Sequence, residues 1–277
     1  MKQFKITKKS GEQVLFEESK LRLSLEGSGA DQQIIDKVIE ELYSYAKDGM
    51  STHKVYKIAY SILVKLSNRT AGRYRLKNAI MELGPTGYPF EKFVGALIKS
   101  QGFEIDTGQI INGRCVQHEV DVVAENEEKL IVVECKFHQE GKSKSDVKVP
   151  MYISSRFDDI FNQWKKEGKI RGRKYEGWVV TNTRFTGDAE KFGKCNGLKL
   201  LSWDYPSGNS LKNIIDKSGL HPLTSIKSLT RKEKKNILDQ GAVLCKELTE
   251  ELLVKSNINS RKIKKILLEA KNICELL

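Results

Sequence analysis

Gln117-His118-Glu119-Val120-Asp121-Val122-Val123 and Ile131-Val132-Val133-Glu134-Cys135-Lys136-Phe137 are two β-branched runs on either side of the polar stretch Ala124-Glu125-Asn126-Glu127-Glu128-Lys129. The pattern predicts the two antiparallel strands of a hairpin. Side chains alternate faces along a strand, so Glu134 and Lys136 project the same way, about 7 Å apart at a rise of about 3.3 Å per residue. Asp121 lies on the paired strand, about 4.8 Å away across the ladder. With a suitable register, one aspartate, one glutamate and one lysine meet on a single patch. Charges on strands are mostly the solvated face of a half-buried sheet. Glu134 and Lys136, however, interrupt an apolar run, where an unpartnered charge is costly to bury. Two carboxylates there can hold a hard divalent cation such as Mg²⁺, and the lysine can orient or deprotonate a water. That combination suits metal-assisted hydrolysis of a phosphodiester.

Upstream, Tyr88-Pro89-Phe90-Glu91-Lys92-Phe93-Val94-Gly95-Ala96-Leu97-Ile98-Lys99 reads as an amphipathic helix followed by Gly102-Phe103. Downstream come Trp178-Val179-Val180-Thr181-Asn182, Phe185-Thr186, Ala189 and Leu198-Lys199-Leu200-Leu201. An aspartate, then Glu-x-Lys, after a glutamate-bearing helix resembles the PD-(D/E)xK nucleases, and among them the Mrr-like restriction endonucleases. The likeness spans roughly residues 85–205. It implies a restriction-endonuclease-like α/β core. Asp121, Glu134 and the Cys135 carbonyl would hold Mg²⁺ (or Mn²⁺), Lys136 would position the attacking water, and Glu91 would hydrogen-bond a metal-bound water. His118 and His138 lie near these residues in sequence. A lone histidine is more often a packing or hydrogen-bonding residue than a ligand, although either could reach the scissile phosphate.

The chain has 277 residues, which suggests two or three units. Its net charge is +12. Residues 1–84 hold 15 basic against 10 acidic side chains, residues 85–205 hold 19 against 18, and residues 206–277 hold 14 against 8. The excess therefore sits in the flanks, which favours a polyanion such as DNA as partner. No apolar run approaches the roughly 18 residues of a membrane helix. The opening Met1-Lys2-Gln3-Phe4-Lys5 is not followed by an apolar stretch, so a cytoplasmic location is expected. The five cysteines are scattered without a C-x-x-C pair, which argues against zinc and against a disulfide framework.

At the N-terminus, Phe4 to Phe16 reads as a hairpin turning at Ser10-Gly11, followed by a helix from about Glu17 with Leu21 and Leu25 inward. Asp31 caps a second helix, Ser51 or Thr52 a third, and a fourth runs from about Ala71 to Leu83 before Gly84-Pro85. Ile6-x-Lys8-Lys9-Ser10-Gly11, Phe16, Ser19-Lys20-Leu21, Ser51-Thr52, Val55, Ala71 and Tyr74 together resemble the ATP-cone, a regulatory nucleotide-binding domain. This likeness covers residues 3 to about 84. It implies that Lys8, Lys9 and Lys20, with the backbone at Gly11, hold the phosphates of ATP or dATP. Ammonium groups beside a tight turn with free N–H groups make an anion pocket. Lys9 stands where the family has arginine and Ser10 where it has an acid, and a lysine lacks the bidentate fork. Cones often mediate association, so a homo-oligomer is an open expectation.

Ser154 to Gly168 reads as a helix, followed by the basic run Lys165-Lys166, Lys169, Arg171 and Arg173-Lys174, which suits a phosphate backbone or is simply exposed. After the turn-rich Tyr205-Pro206-Ser207-Gly208-Asn209 the chain becomes helical. Residues 223–248 distantly resemble a helix-hairpin-helix unit, and a final helix is expected over Ser260–Leu277. The whole reads as an α/β and α+β multidomain chain: a cone over 1–84, a nuclease-like core over 85–205, and a basic helical domain over 206–277. Its expected activity is a Mg²⁺-dependent DNA endonuclease gated by an adenine nucleotide. The alternative is a nucleotide-responsive DNA-binding regulator that does not cut.

Overall fold

The computed structural model describes residues 3–275 of the chain. Residues 1, 2, 276 and 277 lie outside it, including the start of the sequence judged for a leader and the end of the expected last helix. At the N-terminus, β1 (Lys5–Thr7) and β2 (Gln13–Leu15) pair antiparallel, with Ile6 opposite Val14. Gly11 closes the turn at φ +88°, a left-handed conformation that glycine alone adopts freely, and donates to the Lys8 carbonyl. α1 (Glu18–Glu26) buries Leu21 and Leu25. In α2 (Gln32–Tyr45), the Asp31 carboxylate caps the first turn by accepting the Ile34 N–H at 2.8 Å.

An element that sequence periodicity does not reveal is β3 (Met50–Ser51), which pairs in parallel with β1. Two residues are too few to show a period. Ser51 then caps α3 (Thr52–Leu66). The single helix expected over about 71–83 is in fact two, α4 (Asn68–Tyr74) and α5 (Leu76–Met81). Ser67 ends α3 and also accepts the Thr70 N–H, so α4 starts earlier than its apolar pattern suggests.

The central unit comprises α6 (Tyr88–Lys99), β4 (Glu104–Asn112), β5 (Gln117–Glu125), β6 (Lys129–Lys136), β7 (Lys144–Ser145), α7 (Lys148–Lys166), β8 (Lys174–Thr181), β9 (Arg184–Phe185), α8 (Gly187–Cys195) and β10 (Lys199–Leu201). Five strands form one sheet in the order β10-β8-β6-β5-β4. β4, β5 and β6 run antiparallel, whereas β6, β8 and β10 run parallel. β4 is far longer than the Phe103–Ile105 segment that its apolar residues mark, because an edge strand with mostly exposed side chains need not alternate. α7 also begins before the expected Ser154. Pro150 sits in its first turn, where a missing N–H costs nothing.

α6 covers one face of the sheet with Phe90, Phe93, Val94 and Leu97 against Val122, Ala124, Ile131 and Val133. α7 and α8 cover the other, with Phe157, Ile160 and Trp164 against Val120, Val132 and Val179. Val120 and Val122 are two apart on β5 yet pack on opposite faces. Strict alternation therefore fails between them, at Asp121. The ladder to β4 skips the same point, where Gly108 takes φ +63°.

The last unit contains α9 (Leu211–Ser218), α10 (Arg231–Asp239), α11 (Glu250–Lys255) and α12 (Ser260–Cys274). Two similar pieces, each a 3₁₀ turn followed by a threonine-capped helix, precede α12. They join where Leu223 N–H donates to Val243 and Cys245 N–H to His221, both at 2.9 Å. This unit touches both others. Leu211, Ile215 and Val243 share the core of α5 and α6, and the Gly72 backbone in α4 comes so close to Ile273 that a Cβ there would lie 2.7 Å from its side chain. The described residues thus form a mixed α/β chain with several sheets and twelve α-helices. None of those helices is long and apolar enough to cross a membrane.

Candidate active site

The register of the central hairpin sets Val122 opposite Val133 and Val123 opposite Val132. One step on, the ladder ends and Asp121 comes level with Glu134. There the Asp121 carboxylate, rather than a strand carbonyl, accepts the Cys135 N–H at 2.6 Å. A side chain thus takes over a backbone bond, which fixes the carboxylate at the fork between the two strands. Lys136, exposed, ends β6, and its carbonyl accepts the Thr181 hydroxyl at 2.8 Å. Just beyond, the Asn182 amide holds both the N–H and the carbonyl of His138, each at 2.8 Å. Thr181, Asn182 and Thr183 are almost fully buried, so the strand end that carries Lys136 is clamped from behind.

Glu91 arrives from the first turn of α6, where Gly87 leaves room for its carboxylate: a Cβ at Gly87 would lie 2.7 Å from Glu91 Oε1. The three acids sense one another. Burial, then the charges of Asp121, Glu119 and Glu134, pushes Glu91 up to about 7. Burial also raises Asp121, against the pull of the Cys135 N–H and of Arg156. Glu134 is raised by burial and by Asp121, with Arg156 and Lys136 opposing. Crowded, half-desolvated carboxylates of this kind are where a cation is most favourably placed. Burial pushes the Cys135 thiol far up, and its side chain lies in the core under α6, so only its backbone is available to the site.

The structure therefore brings together Asp121, Glu134, Lys136 and Glu91. It takes the two histidines elsewhere. His118 Nε2 sits 2.9 Å from Asp159 on α7, and His138 Nε2 sits 2.9 Å from the Ser145 hydroxyl. Sequence reasoning missed Arg156. From α7 it donates to Glu134 at 2.8 Å and to the Glu119 carbonyl, with its guanidinium 5.6 Å from the Tyr152 ring. No local signal marks it, because its partner lies 22 residues away and meets it only once α7 packs on the sheet.

Asp121 and Glu134 stand level at the fork, a pair that a divalent ion keeping several waters would suit, while no three His, Cys, Asp or Glu side chains among the described residues group so as to hold a metal ion.

An uncharacterized protein of Archaeoglobus fulgidus is 32% identical over 184 residues, an overlap of 64% of this chain and 97% of the relative. The chain belongs to the same family as this relative. The family model described as AF1548-like, C-terminal, matches residues 221–274, which contain α10, α11 and α12. The crystal structure of AF1548, a protein of unknown function, matches with a TM-score of 0.56 at 30% identity, covering 68% of this chain and 98% of that one. A looser likeness, TM-score 0.34 at 12% identity, links 53% of the chain to 31% of the MspJI restriction endonuclease in complex with a 27-mer oligonucleotide.

In this AF1548-like chain the expected phosphate residues stand around the first hairpin. Lys8 pairs with Glu12 at 3.0 Å and Lys20 with Glu17 at 2.7 Å, all on exposed ground, and Lys9 is exposed. The parallel pairing of Thr7 with Ser51 sets the N-terminus of α3 beside the Lys8–Gly11 turn. One turn into α3, Tyr56 stacks on Tyr74 at 5.0 Å.

Proposed function

We propose that this AF1548-like protein is a Mg²⁺-dependent endonuclease acting on DNA, with an adenine nucleotide bound at its N-terminal unit as regulator. The observation that carries the reading is the meeting of Asp121, Glu134 and Lys136 at the fork of β5 and β6, with Glu91 above them. Asp121 and Glu134 would hold the cation together with the Cys135 carbonyl. When bound, such an ion lowers the pKa of water and offsets charge growing on a phosphate. Lys136, clamped through Thr181 and Asn182, orients the attacking water. Glu91, poised near neutrality, takes or gives a hydrogen bond to water at the mouth of the site. Arg156 keeps Glu134 aimed into the site.

The nucleotide reading draws on a different set of groups. Lys8, Lys9 and the Gly11 turn, set beside the N-terminus of a fifteen-residue helix, suit phosphates. The Tyr56–Tyr74 stack suits a base or sugar face.

One observation favours the non-cleaving regulator as a second reading: Glu134 is already charge-matched by Arg156. A Mg²⁺ and Mn²⁺ titration with plasmid, linear and branched DNA, with and without ATP or dATP, separates the two. Metal-dependent cutting that disappears in Asp121→Ala and in Lys136→Ala, with melting temperature and nucleotide binding unchanged, supports the nuclease. Cutting that survives either substitution rejects the assignment, and binding without any cutting favours the regulator.

A further inference from the structure

A site built around three carboxylates repels the polyanion it is to act on. Lys136 is its one exposed cation on β6, and the guanidinium of Arg156 is engaged by Glu134 and the Glu119 carbonyl. Screening in physiological salt acts over about 8 Å, so compensating charge helps only if it lies close by.

The last unit supplies it. α10 stands against the first turn of α6, and between them runs a cleft of about 390 Å³. Pro85, Thr86 and Pro89 form one wall, with Glu82 paired to Lys234 behind it, while Arg231, Lys235, Leu238 and, at the far end, Asp239 form the other. Arg231, Lys235 and Leu238 are spaced four and three apart, so they share one face of α10. The α6 wall continues directly into the candidate site. Pro89 is two residues from Glu91, the Pro85 carbonyl accepts the Gln139 amide at 3.1 Å, and Gly84 sits against the ring of Phe137, next to Lys136. At the far end of α10 the Gly241 backbone approaches the Lys92 ammonium of α6.

Lys234, on the same helix, is spent on structure. It is 4% exposed and donates to Glu82 at 2.9 Å and to the Thr224 carbonyl at 2.6 Å, which fixes α10 to the segment leading into α6. Arg231, Lys232 and Lys235 are exposed and form no ion pair among the described residues. A helix held by one buried lysine while three neighbouring cations stay unpaired is arranged to present charge rather than to satisfy it.

We infer that the α10 face flanking this cleft is the phosphate-backbone seat for duplex DNA whose neighbouring phosphate lies at the carboxylate site. The inference rests on the nuclease reading for the position of the scissile phosphate, but DNA docking on α10 is measurable by itself. Seating is through Arg231, Lys232 and Lys235 and is indifferent to base sequence, since phosphate contacts position a duplex without reading it.

The test uses the full chain, a fluorescently labelled duplex of random sequence, and a salt series without divalent metal. Arg231→Ala/Lys235→Ala is compared with wild type and with Lys57→Ala/Lys65→Ala, an equal charge change on an exposed part of α3; melting confirms that each is folded. The expected result is binding about tenfold weaker for the α10 pair, with the log–log salt slope shallower by about two, and no such change for the α3 pair. With Mg²⁺, KM for DNA should rise in the α10 pair while kcat at saturating DNA holds. An unchanged affinity and slope in the α10 pair overturns the seat even if the protein cuts DNA, and so does a wild type that does not bind duplex. Binding that depends on α10 without any cutting upholds the seat and rejects the nuclease reading instead.

Discussion

Glu176 shows how a single buried charge in this sheet is made tolerable. It is 5% exposed in β8, where burial alone would push its carboxyl up. Ion pairs with Lys199 at 2.7 Å and Lys174 at 3.2 Å and the Trp178 indole N–H at 3.1 Å outweigh that and hold it at about 2. Because the folded value lies below the ordinary 4.5, the folded chain gives up this proton more readily than the unfolded one. Its contribution is complete above the unfolded value and drains away as pH falls from there toward 2. Glu176→Gln should therefore destabilise the fold at neutral pH and flatten the acid limb of the stability curve. Urea unfolding of both proteins at pH 7 and again in mild acid checks this, since the gap between them should narrow in acid. The carboxylates at the strand fork have the opposite character. Their values are raised, first by burial and only then by neighbouring carboxylates, and the cations beside them do not reverse it.

At the scale of elements, the position of α7 decides where Arg156 can reach. Phe157, the next residue, packs onto Gly177 so closely that a Cβ there would lie 2.7 Å from its ring and 2.9 Å from Leu198. A ring buried between helix and sheet has nowhere to turn. Gly177→Ala should force α7 outward and cost about 1–3 kcal/mol of overpacking, read as a lower thermal midpoint. In this family member the elements that can be read from sequence are those with a sustained period. α2, α3, α6, β6, β8 and α12 announce themselves through apolar spacing, and Asp31 and Ser51 through capping chemistry. β3, β7 and β9 are two residues each and carry no pattern, and α9 is hidden in a polar segment. The acid-acid-lysine set is legible because charges interrupt an apolar strand. Arg156 and the Thr181–Asn182 clamp are not, since each works through a partner distant in sequence.

Across the whole molecule, the first and last units are joined through α4. Arg73, buried there, donates to the Ile273 carbonyl at 3.3 Å and to the Glu275 carbonyl, at the C-terminal end of α12, where a cation is also favoured by the helix dipole. Burial lowers its pKa, but not enough to leave the guanidinium uncharged. Arg73→Ala would take a donor from the Ile273 carbonyl, leave the Glu275 carbonyl to Arg69 at 2.8 Å, and empty the space, for a loss of about 2 kcal/mol. Limited proteolysis followed by mass spectrometry should then show earlier cleavage around α12, with the sheet of the central unit cut no sooner than in wild type.

Gly108 has an effect beyond the molecule itself. β4 is the outermost strand of the sheet, nine residues long, and a straight strand of that length offers a row of unsatisfied amides to any other chain. Gly108 in its middle, at φ +63°, interrupts that border where the pairing with β5 skips a step, which makes it a poorer template for a second copy. Gly108 lies level with Asp121, so the break in the edge strand and the aspartate at the strand fork fall at the same step of the sheet.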